Sequence, residues 1–169
     1  AAQELIRSGC RCVLNVGGNM DVNTPSIRRY HACEAMLREA GVDCINACLE
    51  QEFNRQTYQM EIERLLRQYP QADGLFSTDL IALNAMKLLN TRGVNVPDAF
   101  SIVGYDGVEI SSLCTPALTH VRQPLQQLAD VCVQTLVRKM QGESLTKNII
   151  LEDVELIRGG TTRPMGERV

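Results

Sequence analysis

Apolar runs short enough for strands alternate along this chain with longer stretches whose apolar residues recur at helical spacing. Residues 1–8 read as a helix carrying Leu5 and Ile6, with Gly9 placed to end it. A strand follows over 12–16 and stops at Gly17-Gly18. Thr24-Pro25 then opens a helix through Glu39, with Thr24 as N-cap and Pro25 at the first helical position, and Gly41 closes it. The spacing predicts a second strand over 42–48 and a loop over 50–54. The helix that follows, stopped by Pro70, has Met60, Ile62, Leu65 and Leu66 on its inner side. A third strand over 74–77 leads into a helix over 79–90, ended by Arg92-Gly93, and a fourth strand covers 100–105. Strands and helices in strict alternation specify a parallel sheet, because parallel neighbours need crossovers and the crossover helices lie on the sheet's faces. The expected fold is α/β, a three-layer sandwich with a mostly parallel sheet.

Beyond Gln123 the pattern changes. Pro124 starts a helix to about Gln141 in which Leu125, Leu128, Val131, Cys132, Thr135, Leu136 and Met140 form a wide apolar stripe. Burying each large apolar side chain contributes about 1.5–3 kcal/mol, so this stripe is expected to be covered, either by a second copy of the chain or by folding back on its own lobe. Gly142 ends the helix, and 149–157 alternates as a strand with Leu151, Val154, Leu156 and Ile157 as its apolar members. The tail from Arg163 is expected to be mobile.

The segment 100–123, FSIVGYDGVEISSLCTPALTHVRQ, carries the candidate chemistry. Phe100, Ile102 and Val103 are β-formers, and the Gly104-Tyr105-Asp106-Gly107 turn leaves Asp106 at a strand's carboxyl end, where open parallel sheets bind ligands. Two readings stand there: a ligand-accepting carboxylate, or an aspartate capping the next turn.

Composition narrows the classes. With 169 residues, 44% of them hydrophobic, and no Trp, the chain is long enough for one aliphatic α/β core. A formal charge of -3 argues against this segment itself gripping a phosphate backbone. The seven cysteines, Cys10, Cys12, Cys33, Cys44, Cys48, Cys114 and Cys132, lack paired zinc-ligand spacing; they read as structural free thiols in a reducing cytoplasm, with no metal. No apolar run is long enough to span a bilayer and no leader pattern is present. His31 and His120 belong to no nucleophile motif, and GxSxG, HExxH and Walker patterns are absent, so neither catalysis nor a cofactor is expected.

Two spans, ADGLFSTDLIALNAMKLLNTRGVNVPDAFSIVGYD and CTPALTHVRQP, together with the closing ELIRGGTTRP, resemble the effector-binding core of the lactose and galactose repressor family of bacterial transcription regulators. The resemblance runs from Ala1 to about Pro164. It implies a two-lobed core related to periplasmic sugar-binding proteins, with the effector held between the lobes, and an operator-binding head in another part of the protein. By that resemblance 1–123 is the C-terminal lobe and 124–146 is a helix belonging to the N-terminal lobe. Residues 147–164 return to the C-terminal lobe as a strand, and 165–169 is a tail. The DNA-binding head and most of the N-terminal lobe lie outside the chain.

The family's ligand positions fall on particular residues here. Its early-helix arginine matches Arg29, in the context Arg29-Tyr30-His31-Ala32 with Ala32 in place of glycine, while the neighbouring Arg28 is read as facing solvent. A guanidinium forks to two adjacent hydroxyl oxygens, which a lysine cannot do. The family's GYD aspartate falls on Asp106, which tips that residue towards the ligand reading. Phe53 occupies the loop that often holds a stacking aromatic, although a core role is an equal alternative. Thr78-Asp79 replaces the usual Asn-Asp; Thr78 supplies a shorter hydroxyl, and Asp79 reads as a helix N-cap before it reads as a ligand contact. Gln123 stands at the crossing between lobes, available to the cleft or to hinge packing. The family also implies a side-by-side homodimer, here through the helix carrying Ile81, Leu83 and Met86 and the loop with Leu113, Cys114 and Pro116. The bland alternative is that the three helix residues pack inward. A periplasmic sugar carrier of the same fold is the competing function; the free cysteines and the wording RGVNVPDAFSIVGYD favour the regulator.

Overall fold

The computed structural model describes residues 1–17, 25–49, 55–144 and 154–164. The expected Thr24 cap, the 50–54 loop with Phe53, Leu151 and the 165–169 tail lie outside the described residues. The elements run α1 (Ala2–Arg7), β1 (Cys12–Gly17), α2 (Pro25–Glu39), β2 (Asp43–Cys48), α3 (Arg55–Gln68), β3 (Gly74–Phe76) and α4 (Asp79–Thr91). They continue β4 (Ser101–Asp106), α5 (Ile110–Leu113), β5 (Thr119–Arg122), α6 (Leu125–Met140) and β6 (Glu155–Ile157).

One six-stranded sheet has the order β2-β1-β3-β4-β5-β6, parallel throughout except for β6, which pairs antiparallel with β5. Two apolar cores lie on its two faces, which makes the sandwich three-layered. On one face Leu5 of α1 and Cys33 and Leu37 of α2 pack on Val13, Phe76 and Val103. On the other, Tyr58, Ile62 and Leu65 of α3 and Ile81, Ala85, Met86 and Leu89 of α4 pack on Leu14, Leu75, Ile102 and Leu118. Strict alternation along β1 sends Val13 to one core and Leu14 to the other, as a strand buried on both sides requires.

Three expectations change. Met60 is 70% exposed, and Tyr58 takes the inner position with Ile62 and Leu65. Met60 lies two residues from Ile62, about 200° around a helix, and so faces the opposite side. The closing segment is anchored at Arg163, the residue where mobility was expected to begin. The Arg163 guanidinium donates to the Ser8 carbonyl at 2.7 Å and the Asp98 carbonyl at 3.3 Å, and Thr161 is buried between β4 and β5, bonding to Ile102 and Thr119. Thr162, also buried, donates to the Glu4 carboxylate at 2.9 Å.

The third change concerns α6, which does not fold back. None of its residues is buried, and Leu125, Leu128, Val133, Leu136, Val137 and Met140 range from 43% to 78% exposed. The faces of the sheet are already occupied by α1–α4, so the stripe finds no place on either of the lobe's two described cores. Among the described residues, no helix is long and apolar enough to cross a membrane.

Candidate functional site

In a sheet ordered 2-1-3-4-5 the strand order reverses between β1 and β3, and a crevice opens there at the strands' carboxyl ends. Most of the residues that the chain places at that edge are polar. Asn15, Val16 and Gly17 of β1, Ser26, Arg29 and Tyr30 of α2, Phe76, Ser77 and Thr78 after β3, and Tyr105 of β4 line a pocket of about 30 Å³, room for a water or two. Asp106 and Gln123 stand beside it, at the ends of β4 and β5.

Arg29 is set by its neighbours. Its guanidinium donates to Ser26 Oγ at 3.1 Å and lies 4.2 Å from the centroid of the Tyr105 ring, a cation–π arrangement that keeps the charge over the crevice. Arg28 is exposed, as expected. The seat of α2 is fixed from below by Asn15, which is 1% exposed and donates from Nδ2 to the Tyr30 carbonyl and to Asn46 Oδ1, both at 2.9 Å. Sequence reasoning passed over Asn15, Ser26, Tyr105 and Ser77. The signal for Asn15 was available, since one amide inside the apolar run CVLNV needs a buried partner.

Asp106 is held in an uncommon backbone conformation, with φ +134°. Gln123 holds it twice: its backbone N–H donates to the Asp106 carbonyl at 3.2 Å, and its side-chain amide to Asp106 Oδ1 at 2.9 Å. Gly107 follows at φ +81°, and a Cβ there would fall 2.7 Å from Arg122 Cα, so only glycine fits. Burial pushes the Asp106 carboxyl above its ordinary value. The Arg29 charge pulls it back down, nearby Asp79 pushes it up again, and the Gln123 hydrogen bond lowers it. Arg29 and Asp106 form no ion pair with each other; each is braced by other groups, and the second Asp106 oxygen has no partner among the described residues. A fork of donors thus lines the crevice, and a carboxylate acceptor lies within its electrostatic reach at the end of β4, a pairing that suits adjacent hydroxyl groups.

Asp79 does not cap its helix. Thr78 occupies the N-cap, and the Asp79 carboxylate, 1% exposed, accepts from Gly107 N, Val108 N and Ser111 Oγ, each at 2.9 Å. Thr78 lines the pocket, whereas Asp79 lies behind the Asp106 turn. Of the residues expected at a partner surface, Ile81 and Met86 are 2% and 6% exposed and belong to the core, because α4 turns the stripe Ile81, Ala82, Ala85, Met86 and Leu89 onto the sheet. Leu83, Cys114 and Pro116 are half-buried, and Leu113 is 75% exposed. Of the two histidines, His31 lies exposed beside Glu34, and His120 is buried with Nδ1 3.0 Å from the Leu118 carbonyl. No group of residues suited to a metal occurs among the described residues.

Residues 2–162 match the family described as periplasmic binding protein-like domain. The ribose operon repressor of Halalkalibacterium halodurans is 31% identical over 146 residues, 86% of this chain and 43% of that protein. The sucrose operon repressor of Streptococcus mutans is 29% identical over 89% of this chain and 46% of its own length. The chain therefore spans about half the length of the curated relatives it matches. Among solved structures, the periplasmic binding protein/LacI transcriptional regulator of Alkaliphilus metalliredigens, complexed with D-xylulofuranose, superposes with a TM-score of 0.85 at 26% identity, covering 96% of this chain and 61% of that one. The chain belongs to the periplasmic binding protein-like domain family, in its lactose and galactose repressor branch.

Proposed function

We propose that this chain is the sugar-binding lobe of a bacterial transcription regulator, in which an effector held against Arg29 and Asp106 changes affinity for operator DNA. The observation that carries this reading is the Arg29 guanidinium lining the crevice with the Asp106 carboxylate within its electrostatic reach, each braced by neighbours and not ion-paired with the other. Thr78 and Gln123 flank them as hydroxyl and amide contacts, and Phe53 is assigned to the ring of the sugar. The relatives named as ribose and sucrose operon repressors and the D-xylulofuranose complex support a sugar and a regulator over a transport protein. The role is binding, without catalysis or cofactor.

In this reading 1–123 and 147–164 form one lobe, and 124–146, with α6, belongs to the companion lobe. The operator-binding domain is a separate part of the protein, which works in the cytoplasm. A homodimer forms through Leu83, Leu113, Cys114 and Pro116, with Ile81 and Met86 supporting α4 from within. Lobe closure on the effector links the two functions, since a ligand shifts an equilibrium only by its differential affinity for the two states. The test is operator binding by the full-length protein with and without D-ribose, D-xylulose, sucrose and lactose. A sugar should shift wild-type affinity and leave Arg29→Ala and Asp106→Asn unresponsive; variants that respond as wild type does contradict the assignment.

A further inference from the structure

Asp79 spends a buried charge on a segment that is distant in sequence. One of its oxygens takes all three hydrogen bonds, from Gly107 N, Val108 N and Ser111 Oγ, while Oδ1 is buried and has no hydrogen-bond partner. That bare oxygen sits 2.2 Å from where a Gly104 Cβ would be, so the strand comes close enough to the carboxylate only because residue 104 is glycine. An unpaired buried oxygen is a cost that packing alone does not explain. The two backbone N–H groups it grips immediately follow Asp106, whose own backbone is held at φ +134°.

We propose that Asp79 is a positioning residue: it grips the 107–111 turn so that the Asp106 carboxylate stays turned into the crevice beside Arg29. The part of this inference that concerns sugar affinity rests on the reading of Asp106 as an effector contact. Asp79 touches no ligand itself and acts through the turn, from the layer behind the pocket. A different carboxylate satisfies the turn's N–H groups, so Asp106 does not cap the turn and keeps one oxygen beyond the Gln123 bond to offer a sugar.

The test uses the full-length protein in four forms: wild type, Asp79→Asn, Ser111→Ala, and Ile62→Val as a core control on another helix. Hydrogen exchange is read on peptides covering 104–113 without ligand, and D-ribose affinity is read by calorimetry. Asp79→Asn keeps an acceptor but loses its charge, and exchange in 104–113 is expected to rise about tenfold, with a smaller rise for Ser111→Ala. Ile62→Val should show no rise confined to that segment. D-ribose affinity should fall about tenfold in Asp79→Asn and stay within about twofold in Ile62→Val, a split that general destabilisation does not produce. Unchanged exchange in 104–113 for Asp79→Asn overturns the inference. So does faster exchange with unchanged D-ribose affinity in a protein that loses that affinity on Asp106→Asn. If wild type binds no D-ribose, or Arg29→Ala and Asp106→Asn bind it normally, the failure is that of the effector reading with this probe, and the exchange experiment alone decides whether Asp79 holds the turn.

Discussion

Glu4 offers the sharpest test of how this lobe is held together. It is 2% exposed, and its carboxylate accepts from Arg7 Nε at 2.9 Å, from Arg158 Nε at 3.1 Å and from Thr162 Oγ1 at 2.9 Å. These contacts tie α1 to the closing segment, which in turn seals the start of β5 through Thr161. Burial by itself would raise the carboxyl, but the hydrogen bonds from Arg7, Thr162 and Arg158 outweigh it and hold the group down to about 2, from an ordinary 4.5. At about 1.4 kcal/mol per pH unit, that corresponds to about 3 kcal/mol of stability. A depressed carboxyl contributes fully above its unfolded value and loses that contribution as pH falls through its folded value, here between about 4.5 and about 2. Urea denaturation of wild type and Glu4→Gln across pH 2–7 isolates the effect as a difference curve. The gap should be about 3 kcal/mol at pH 7 and close progressively below pH 4.5. A gap that is small at pH 7, or that does not change with pH, refutes the reasoning.

Three further outcomes follow from the same structure. Gly104→Ala places a methyl 2.2 Å from Asp79 Oδ1 and 2.7 Å from Leu118 Cδ2, and should destabilise by about 1–3 kcal/mol in thermal unfolding; a neutral result contradicts the close packing. Leu128→Glu with Leu136→Lys should strongly destabilise the full-length protein if α6 is covered by a companion lobe, whereas a change within about 0.5 kcal/mol would mean that the stripe stays in water. Leu113→Arg, at a residue 75% exposed, should turn a dimer into a folded monomer in sedimentation, and a persistent dimer would place the interface elsewhere.

The sandwich was legible because its signals are local. Strands buried on both faces read as short apolar runs, and every crossover helix ends at the Gly or Pro the sequence marks. What failed was phase. Met60 counts as apolar but lies on the wrong side of α3, and Ile81 and Met86 were assigned to a partner although their spacing with Ala82, Ala85 and Leu89 points them inward. Arg29 was proposed through the resemblance and Asp106 first through its place at a strand's carboxyl end, and the structure adds the brace on each. The partners of Asn15 and Asp79 lie 15 and 28 or more positions away, so the run CVLNV signals that Asn15 needs a partner without saying which, and Asp79 reads locally as a cap. The anchoring of Arg163 was missed for the same reason, since Ser8 and Asp98 lie 155 and 65 positions away.

The central claim is that Arg29 and Asp106 hold one sugar between them. Calorimetry on the full-length protein with Arg29→Ala, Asp106→Asn and the double variant tests it directly, using whichever panel sugar wild type binds. Each single change removes hydrogen bonds to a charged group worth about 1.5–3 kcal/mol, so affinity should fall about 10- to 100-fold. Because both groups grip the same ligand, the double variant should lose clearly less than the sum of the two. Single variants that bind as wild type does, or losses that add in full, would contradict a shared site.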